Sequence, residues 1–332
     1  MIDTVEAKQL TAESGRMLLK EKLAARTWGN ISCRIGEKSM VITPSGLAYD
    51  GMQPDDIVSV DMETGEWAGS RKPSSEKGIH ISAYRQFPDA GFVIHTHQTY
   101  ASAIGMAGFD TLNLSEEEKK KLGGIALAEY GLSSTKKLAK NVAAAFKSGA
   151  HTVLMVHHGA VIVGKDRQEA FERAILLENV CRRACKEQPD TPPVFDEALA
   201  KSLINSVKKE FKHVSYTSAP PVMACASYGK AIPAQLDDMA QMIGPLLICV
   251  KPEVSAVANA LRKHEAVLVP GVGAIGRALT QEDLDVLHLL VEKSCICWLH
   301  TQAMCVNAKL SPFEIWLMHK VYIMKYSKKI AS

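Results

Sequence analysis

Apolar residues recur at two different periods along the first half of the chain, and the two periods predict different elements. Leucine and methionine residues stand at roughly helical spacing among lysines and glutamates, which predicts a helix over residues 5–26. Residues 57–60, Ile-Val-Ser-Val, form a short apolar run that is typical of a strand. A second helix is predicted over residues 79–87, where apolar residues recur every four positions.

A longer apolar run, which predicts a buried strand, ends in two histidines. It covers residues 91–97, Gly-Phe-Val-Ile-His-Thr-His. Residues two apart in a strand point to the same face, so His95 and His97 are predicted to project side by side. Two such imidazoles can share one metal ion, although an isolated pair of this kind is more often a pair of packing histidines.

Another apolar run, residues 152–159, also ends in histidine, with His157 and His158 followed by glycine. A third imidazole from a neighbouring strand would complete a three-nitrogen set with an open coordination position, as in catalytic zinc sites. We expect His158 to be this third ligand. His157 is expected to point to the opposite face and to have a structural role.

Turns rich in hydroxyl and glycine residues occur before these strands. Residues 27–32, Thr-Trp-Gly-Asn-Ile-Ser, and 43–46, Thr-Pro-Ser-Gly, offer N–H groups and hydroxyls to an anion, although many turns have this composition for conformational reasons. Residues 72–76, Lys-Pro-Ser-Ser-Glu, place two serines at the start of a predicted helix, where the helix dipole favours a phosphate. Glu76 follows these serines, and on its own it is explained as a first-turn glutamate whose negative charge interacts favourably with the helix dipole. One turn later, His80 is expected to serve packing.

Composition narrows the class of protein without choosing a function. The 332 residues are 47% hydrophobic and 23% charged, as in ordinary soluble proteins, and the net charge of +3 gives no broad basic field for nucleic acid. The sequence has no apolar run long enough for a membrane span and no signal-peptide pattern at its start. Its eight cysteines are scattered without a CxxC pair, which predicts reduced thiols in a cytoplasmic protein.

Five of these motifs, in this order and at these spacings, resemble the class II aldolase/adducin family. That family includes fuculose-phosphate and rhamnulose-phosphate aldolases and ribulose-phosphate 4-epimerases. The motifs are the two turns, the Lys-Pro-Ser-Ser-Glu segment and the two strands that end in His-Thr-His and His-His-Gly, and they cover roughly residues 5–190. The resemblance implies an α/β fold, a three-layer α/β/α sandwich on a mixed, largely antiparallel sheet.

The resemblance also implies a role for each candidate site residue. A zinc ion, or another divalent metal, would be held by His95, His97 and His158, and Glu76 matches the family's catalytic carboxylate. The residues that match the family's substrate-phosphate pocket are Thr27, Asn30, Ser45, Gly46, Ser74 and Ser75.

The activity implied by the resemblance is reversible cleavage of a ketose 1-phosphate to dihydroxyacetone phosphate and an aldehyde. Glutamate at position 76 is typical of the family's aldolases, whereas the epimerases have aspartate there. Residues 109–130 also lack the histidine- and aspartate-bearing segment of the epimerases. Alternatives are a sugar-phosphate epimerase or decarboxylase on the same metal site, or a non-catalytic interaction module like that of adducin. The expected partners are a sugar phosphate and further copies of this chain, in a homo-oligomer of two or four subunits, with neither nucleic acid nor membrane.

The second half of the chain lacks these motifs but partly repeats the first half. Residues 266–275 align with residues 152–161, and Val272 then stands in the place of His158. The alternative is that one strand–turn–helix segment resembles another by chance.

This partial repeat, together with a proline-rich segment, predicts the organisation of the chain. We predict a class II aldolase-like catalytic domain over residues 1–190 and a linker over residues 191–196. Residues 197–332 are predicted to be a degenerate, metal-free repeat of the same fold, or of part of it. Its expected role is structural, through packing or through building the oligomer.

Overall fold

The structure is a computed structural model that describes residues 2–109, 112–185 and 193–330. The predicted linker at residues 191–196 lies partly outside these described residues. None of the cysteines within these residues forms a disulfide.

The chain forms two compact units, residues 1–184 and residues 185–332. A seven-stranded sheet organises the first unit, whereas the second contains a three-stranded and a two-stranded sheet. Among the described residues, no helix has both the length and the apolar character that crossing a membrane requires.

Helices and strands alternate along the first unit. Its helices are α1 Thr4–Lys20, α2 Lys77–Gln86, α3 Thr99–Ala107, α4 Glu116–Leu122, α5 Lys136–Phe146 and α6 Arg167–Ala184. Its strands are β1 Asn30–Arg34, β2 Ser39–Ile42, β3 Val58–Asp61, β4 Phe92–Thr96, β5 Ile125–Ala128, β6 Thr152–Met155 and β7 Gly159–Gly164. A short 3₁₀ helix, Pro54–Asp56, precedes β3.

The seven strands lie in the order β3-β2-β1-β4-β7-β6-β5. All neighbouring pairs are antiparallel except β5 and β6, which are parallel. Strand β4 lies at the centre of the sheet, and all five of its residues are buried. Burial on both faces explains why its sequence is a continuous apolar run and not an alternating one.

Helices cover both faces of this sheet. One core cluster joins apolar residues of α2 and α5 to the strands on one side. On the other side α1 contacts β1 and β2, while α3 and α6 contact β7. The expected three-layer α/β/α sandwich on a mixed, largely antiparallel sheet is therefore confirmed for the first unit.

Helix α1 is shorter than predicted, since it ends at Lys20 and not at residue 26. Lys22 has a left-handed backbone conformation with φ 55°, which turns the chain away from the helix axis. The carbonyl of Leu23 then accepts a hydrogen bond from the backbone N–H of His97 at 2.9 Å. The residues after α1 are thereby held at the end of β4.

The second unit also alternates helices with strands. Its helices are α7 Glu197–Val207, α8 Pro220–Ser227, α9 Asp237–Met242, α10 Val254–Leu261, α11 Gln281–Ala303 and α12 Pro312–Ile330. Its strands are β8 His213–Thr217, β9 Ile232–Pro233, β10 Leu246–Leu247, β11 Ala266–Val269 and β12 Gly273–Ala278. The three-stranded sheet has the order β11-β12-β8, with antiparallel neighbours.

Apart from the additional elements β9 and α12, the element order of the second unit matches that of the first unit from α2 onward. Helix α7 precedes β8 as α2 precedes β4, α8 follows β8 as α3 follows β4, and the hairpin β11–β12 leads into α11 as β6–β7 leads into α6. The pairing also corresponds, because Thr217 lies opposite Ala274 as Thr96 lies opposite Ala160. Helices α7 and α10 share a core with this sheet, as α2 and α5 do in the first unit.

Candidate metal centre

Three histidines converge at the end of strand β4. His95 lies in the strand, His97 follows it directly, and His158 lies in the turn between β6 and β7. Their candidate ligand atoms all lie within 4.8 Å of one another, and the three residues are buried. The Nε2 atoms of His95 and His158 are 3.0 Å apart. The structure thus brings together the three imidazoles that the sequence predicted to be metal ligands.

The pairing of β4 with β7 accounts for this convergence. His95 lies opposite Val161 and Thr96 lies opposite Ala160, so the turn that precedes β7 is adjacent to the end of β4. The carbonyl of Met155 accepts a hydrogen bond from the His158 N–H at 3.1 Å, which makes the turn tight.

His157 takes a different direction from His158. It adopts a left-handed conformation with φ 64°, and its ring lies edge-on to that of Tyr130, with centroids 5.2 Å apart. It is not among the three residues whose ligand atoms converge. The contact of His157 with Tyr130 agrees with the prediction that His157 points in a different direction from His158.

The donor set fits a divalent metal ion. The Nδ1 atom of His95 lies 2.9 Å from the carbonyl oxygen of Ala160, so Nδ1 carries the proton and the Nε2 lone pair faces His158. An imidazole lone pair 3.0 Å from another ring nitrogen requires either a hydrogen-bonding proton or a metal ion between the two nitrogen atoms. Three imidazole nitrogens that leave a coordination position open are typical of catalytic zinc sites.

Glu76 lies beside these histidines at the start of α2. One carboxylate oxygen is 3.2 Å from His95 Nε2, and the other is 3.4 Å from His158 Nε2. The side chain is only 8% exposed. Burial acts to raise the pKa of Glu76, but its electrostatic interactions with His158 and His95, together with the hydrogen bond from Asn30, hold this pKa well below its usual value. The group is therefore a carboxylate at neutral pH.

Three further donors hold the Glu76 carboxylate. The side-chain amide of Asn30 donates to Oε2 at 3.1 Å. The Ser133 hydroxyl and the Ser134 backbone N–H donate to Oε1 at 3.2 and 3.3 Å. The sequence does not reveal these two serines as part of the site, because they lie 57 and 58 residues from Glu76 in a turn without any distinctive motif.

The candidate phosphate-binding turns lie next to each other. The Ser45 N–H donates to the carbonyl of Lys72, and the Ser74 N–H donates to the carbonyl of Thr43, each at 3.0 Å. Gly46 has φ 74°, a conformation that few other residues adopt without strain. Ser45, Gly46, Ser74 and Ser75 therefore occupy two adjoining turns that lead into the helix start at Glu76.

The remaining two candidates lie near the end of β4. Asn30 is the register partner of His95. Thr27 precedes it in the segment between α1 and β1, next to Trp28, whose ring stacks with that of His97 at 6.3 Å between centroids. Gly29 allows the backbone next to Trp28 to lie this close to β4, since a Cβ at position 29 would be 2.6 Å from the His95 carbonyl oxygen.

Comparisons with known proteins agree with this geometry. The family described as Class II Aldolase and Adducin N-terminal domain matches residues 9–185, more than half of the chain. A solved structure of an L-fuculose 1-phosphate aldolase is 31% identical with a TM-score of 0.50, over 54% of this chain and 84% of its own.

Two further structures share the fold. YgbL from Escherichia coli, described as a putative aldolase/epimerase/decarboxylase, is 23% identical with a TM-score of 0.50, over 54% of this chain and 88% of its own. YgbL from Klebsiella pneumoniae is 22% identical with a TM-score of 0.51, over 55% of this chain and 90% of its own. At these identities, the likeness extends to the fold alone.

Proposed function

This chain belongs to the class II aldolase and adducin N-terminal domain family, and we propose that it is a metal-dependent aldolase. It cleaves a ketose 1-phosphate reversibly to dihydroxyacetone phosphate and an aldehyde. The observation that carries this proposal is the meeting of three histidine nitrogens, within 4.8 Å of one another, beside the Glu76 carboxylate. The 31% identity with an L-fuculose 1-phosphate aldolase supports it.

Carbon–carbon cleavage next to a carbonyl group leaves negative charge on an enediolate. A divalent cation, for which we propose zinc, supplies a Lewis acid that stabilises this charge when it is bound by His95, His97 and His158. The rings of the three histidines are buried, and the carbonyl of Ala160 fixes the orientation of His95 through its Nδ1 proton. A ligand that is held in this way needs little rearrangement to bind the metal.

Glu76 is proposed as the group that moves protons. Its carboxylate is close to the metal ligands and is ionised, so it can take a proton from a substrate oxygen during cleavage or from carbon in the reverse direction. Hydrogen bonds from Asn30, Ser133 and Ser134 fix the position of this carboxylate. Fixed geometry matters because proton transfer needs the two atoms within hydrogen-bond reach.

The two adjoining turns are proposed to bind the substrate phosphate. N–H groups and hydroxyls at a helix start attract an anion, and binding at this non-reacting end orients the reacting carbon atoms. The residues proposed for this pocket are Thr27, Asn30, Ser45, Gly46, Ser74 and Ser75.

The second unit is proposed to be a degenerate copy of the fold from α2 onward. The shared element order and the matching register support this proposal. By that register Tyr216, Ser218 and Val272 occupy the places of the three histidines, so the copy would bind no metal. We propose a structural role for it and expect the protein to form a homo-oligomer, which light scattering after size-exclusion chromatography would measure.

Assays on a panel of ketose 1-phosphates test the proposed function. The zinc-loaded protein should release dihydroxyacetone phosphate from at least one of them, detected by a coupled triose-phosphate readout. Glu76→Gln keeps the size of the side chain but removes its charge, so kcat should fall about 10²- to 10⁴-fold while the metal stays bound.

Mass spectrometry of the products separates the alternative activities. An epimerase would leave the substrate mass unchanged, whereas a decarboxylase would lower it by the mass of carbon dioxide. Absence of cleavage across the whole panel would contradict the aldolase proposal, and an unchanged kcat in Glu76→Gln would contradict the proposed role of Glu76.

A further inference from the structure

A buried histidine that the sequence assigned to packing is connected to the candidate site. His80 lies on α2 one turn after Glu76 and is 0% exposed. Its Nδ1 atom is 2.7 Å from the Ser32 hydroxyl, and its Nε2 atom is 2.5 Å from the side-chain oxygen of Asn30. The amide nitrogen of the same Asn30 donates to the Glu76 carboxylate at 3.1 Å. A continuous chain of hydrogen bonds therefore leads from Ser32 to Glu76.

The Asn30 amide fixes the direction of this chain. Its NH₂ group donates to a Glu76 carboxylate oxygen, so its carbonyl oxygen faces His80. That oxygen only accepts, so Nε2 of His80 carries the proton and Nδ1 accepts from the Ser32 hydroxyl. The Tyr84 hydroxyl, 2.9 Å from Ser32 Oγ, is then the donor at the far end.

The His80 ring is neutral, as this arrangement requires. Burial lowers the pKa of His80 from its ordinary value of 6.5 to about 3, so at neutral pH the ring has one proton and one lone pair. With the proton on Nε2, the ring donates to Asn30 and accepts from Ser32, and both nitrogens are satisfied. A protonated ring would leave no lone pair for Ser32.

We propose that His80 is a positioning residue that acts on the Glu76 carboxylate through Asn30. The inference rests on the proposed role of Glu76 in aldol cleavage. If Asn30 flipped, two N–H groups would face each other at His80 and two oxygens would face each other at Glu76, so only one orientation is stable. Without the His80 ring, only the hydrogen bond to the Glu76 carboxylate would hold the Asn30 amide in this orientation.

Two substitutions at one position test this role. His80→Leu removes both hydrogen bonds, and we expect kcat to fall about tenfold to a hundredfold, because small displacements of a reacting group cost that much. KM should change less, since the phosphate has five other proposed contacts besides Asn30. His80→Gln can donate to Asn30 and accept from Ser32, so it should restore most of kcat. His151→Gln, which alters a partly buried histidine packed against Phe87, is the matched control and should keep kcat.

The ¹⁵N chemical shifts of His80 give a readout that does not depend on turnover. In the wild-type protein they should show Nε2 protonated and Nδ1 unprotonated at neutral pH. A protonated Nδ1 with an unprotonated Nε2 would overturn the proposal. An unchanged kcat in a folded His80→Leu variant would also overturn it, and so would a kcat of His80→Gln no higher than that of His80→Leu. If His80→Leu does not fold, the wild-type tautomer and His80→Gln still decide the question.

Failure of the aldolase assignment is distinguishable from failure of this inference. If the wild-type protein cleaves no ketose phosphate, the proposed function is wrong, but the tautomer and the crystal structure of His80→Leu still test the positioning role. In that structure the Asn30 amide should be rotated or disordered and the carboxylate displaced. An Asn30 amide and a Glu76 carboxylate unmoved from their wild-type positions would overturn it.

Discussion

His157 and His158 are adjacent and chemically identical, yet the backbone directs their rings to different places. The left-handed conformation of His157 turns its ring toward Tyr130, while His158 reaches the end of β4. In a metal site, the direction in which a ring points matters as much as its presence in the sequence. This pair therefore provides a matched comparison for metal binding.

Replacing His158 should remove the metal, whereas replacing His157 should not. His158→Ala deletes one of three ligands, so metal affinity should fall by more than the roughly 10- to 100-fold that loss of a supporting residue costs. His157→Asn is the control, because asparagine tolerates the left-handed conformation. Metal content after dialysis, measured by inductively coupled plasma mass spectrometry, checks both variants, and equal loss from the two would contradict the assignment of ligands.

The buried state of His80 should make stability depend on pH. Because burial lowers the pKa of His80 to about 3 in the folded protein, the unfolded chain binds a proton between pH 3 and 6.5 that the folded chain does not. Stability from this residue is therefore highest above pH 6.5 and decreases as pH falls, by up to about 1.4 kcal/mol per pH unit. Denaturant unfolding of the wild type and of His80→Gln should show a shallower acid decrease in the variant, and parallel curves would refute the effect.

At the scale of elements, the site depends on how closely β7 approaches β4. Gly159 begins β7, and a Cβ there would collide with the carbonyl oxygen of Thr96, one residue before His97. The glycine is required by this contact with neighbouring backbone, which cannot move as a side chain could. The pairing of β4 with β7 at the centre of the sheet thus also sets the distance of His158 from His95 and His97, the other two candidate ligands.

Gly159→Ala should therefore destabilise the protein and weaken metal binding together. Forcing the strands apart should cost about 1–3 kcal/mol, as overpacking does elsewhere, and should separate His158 from the other two histidines. Gly36→Ala is the control, because a Cβ at Gly36 meets nothing within 4 Å. Thermal unfolding and metal titration measure the two effects, and a Gly159→Ala variant with wild-type metal affinity would contradict the proposed coupling.

At the scale of the whole molecule, the proposed correspondence between the two units places different residues at matching positions. Gly271 has φ 78° where His157 has φ 64°, and a Cβ at Gly273 would collide with the Thr217 carbonyl oxygen as one at Gly159 would with Thr96. Both turns thus share a left-handed residue and a close approach of a glycine to neighbouring backbone. The side chains differ, since Val272 stands where the proposed correspondence places His158.

The protein should bind about one metal ion per chain and not two. Valine offers no ligand atom, so the second unit lacks the nitrogen that completes the set. Gly273→Ala should lower the stability of the second unit by about 1–3 kcal/mol through the same kind of collision, without changing metal content. Metal analysis of the wild-type protein and calorimetry of the variant would test this, and two equivalents of metal per chain would refute it.

The fold class was predictable through the resemblance to a known family, and the three histidines were predictable because they stand at the ends of apolar runs. Apolar runs mark buried strands, and the two-residue period of a strand sets His95 beside His97. Helix limits were less predictable, since the end of α1 at Lys20 depends on a left-handed residue and on a hydrogen bond between Leu23 and His97. The helix propensities of residues 21–26 do not indicate that α1 ends at Lys20.

By itself, the sequence determined which residue types stand at the end of each strand and at the start of α2, and hence that a metal and an anion could bind. Only the tertiary structure decided which groups meet. Ser133, Ser134 and His80 act on Glu76 through long-range hydrogen bonds and through Asn30. Contacts between residues about 50 positions apart follow from the packing of separate elements, and local sequence patterns do not encode that packing.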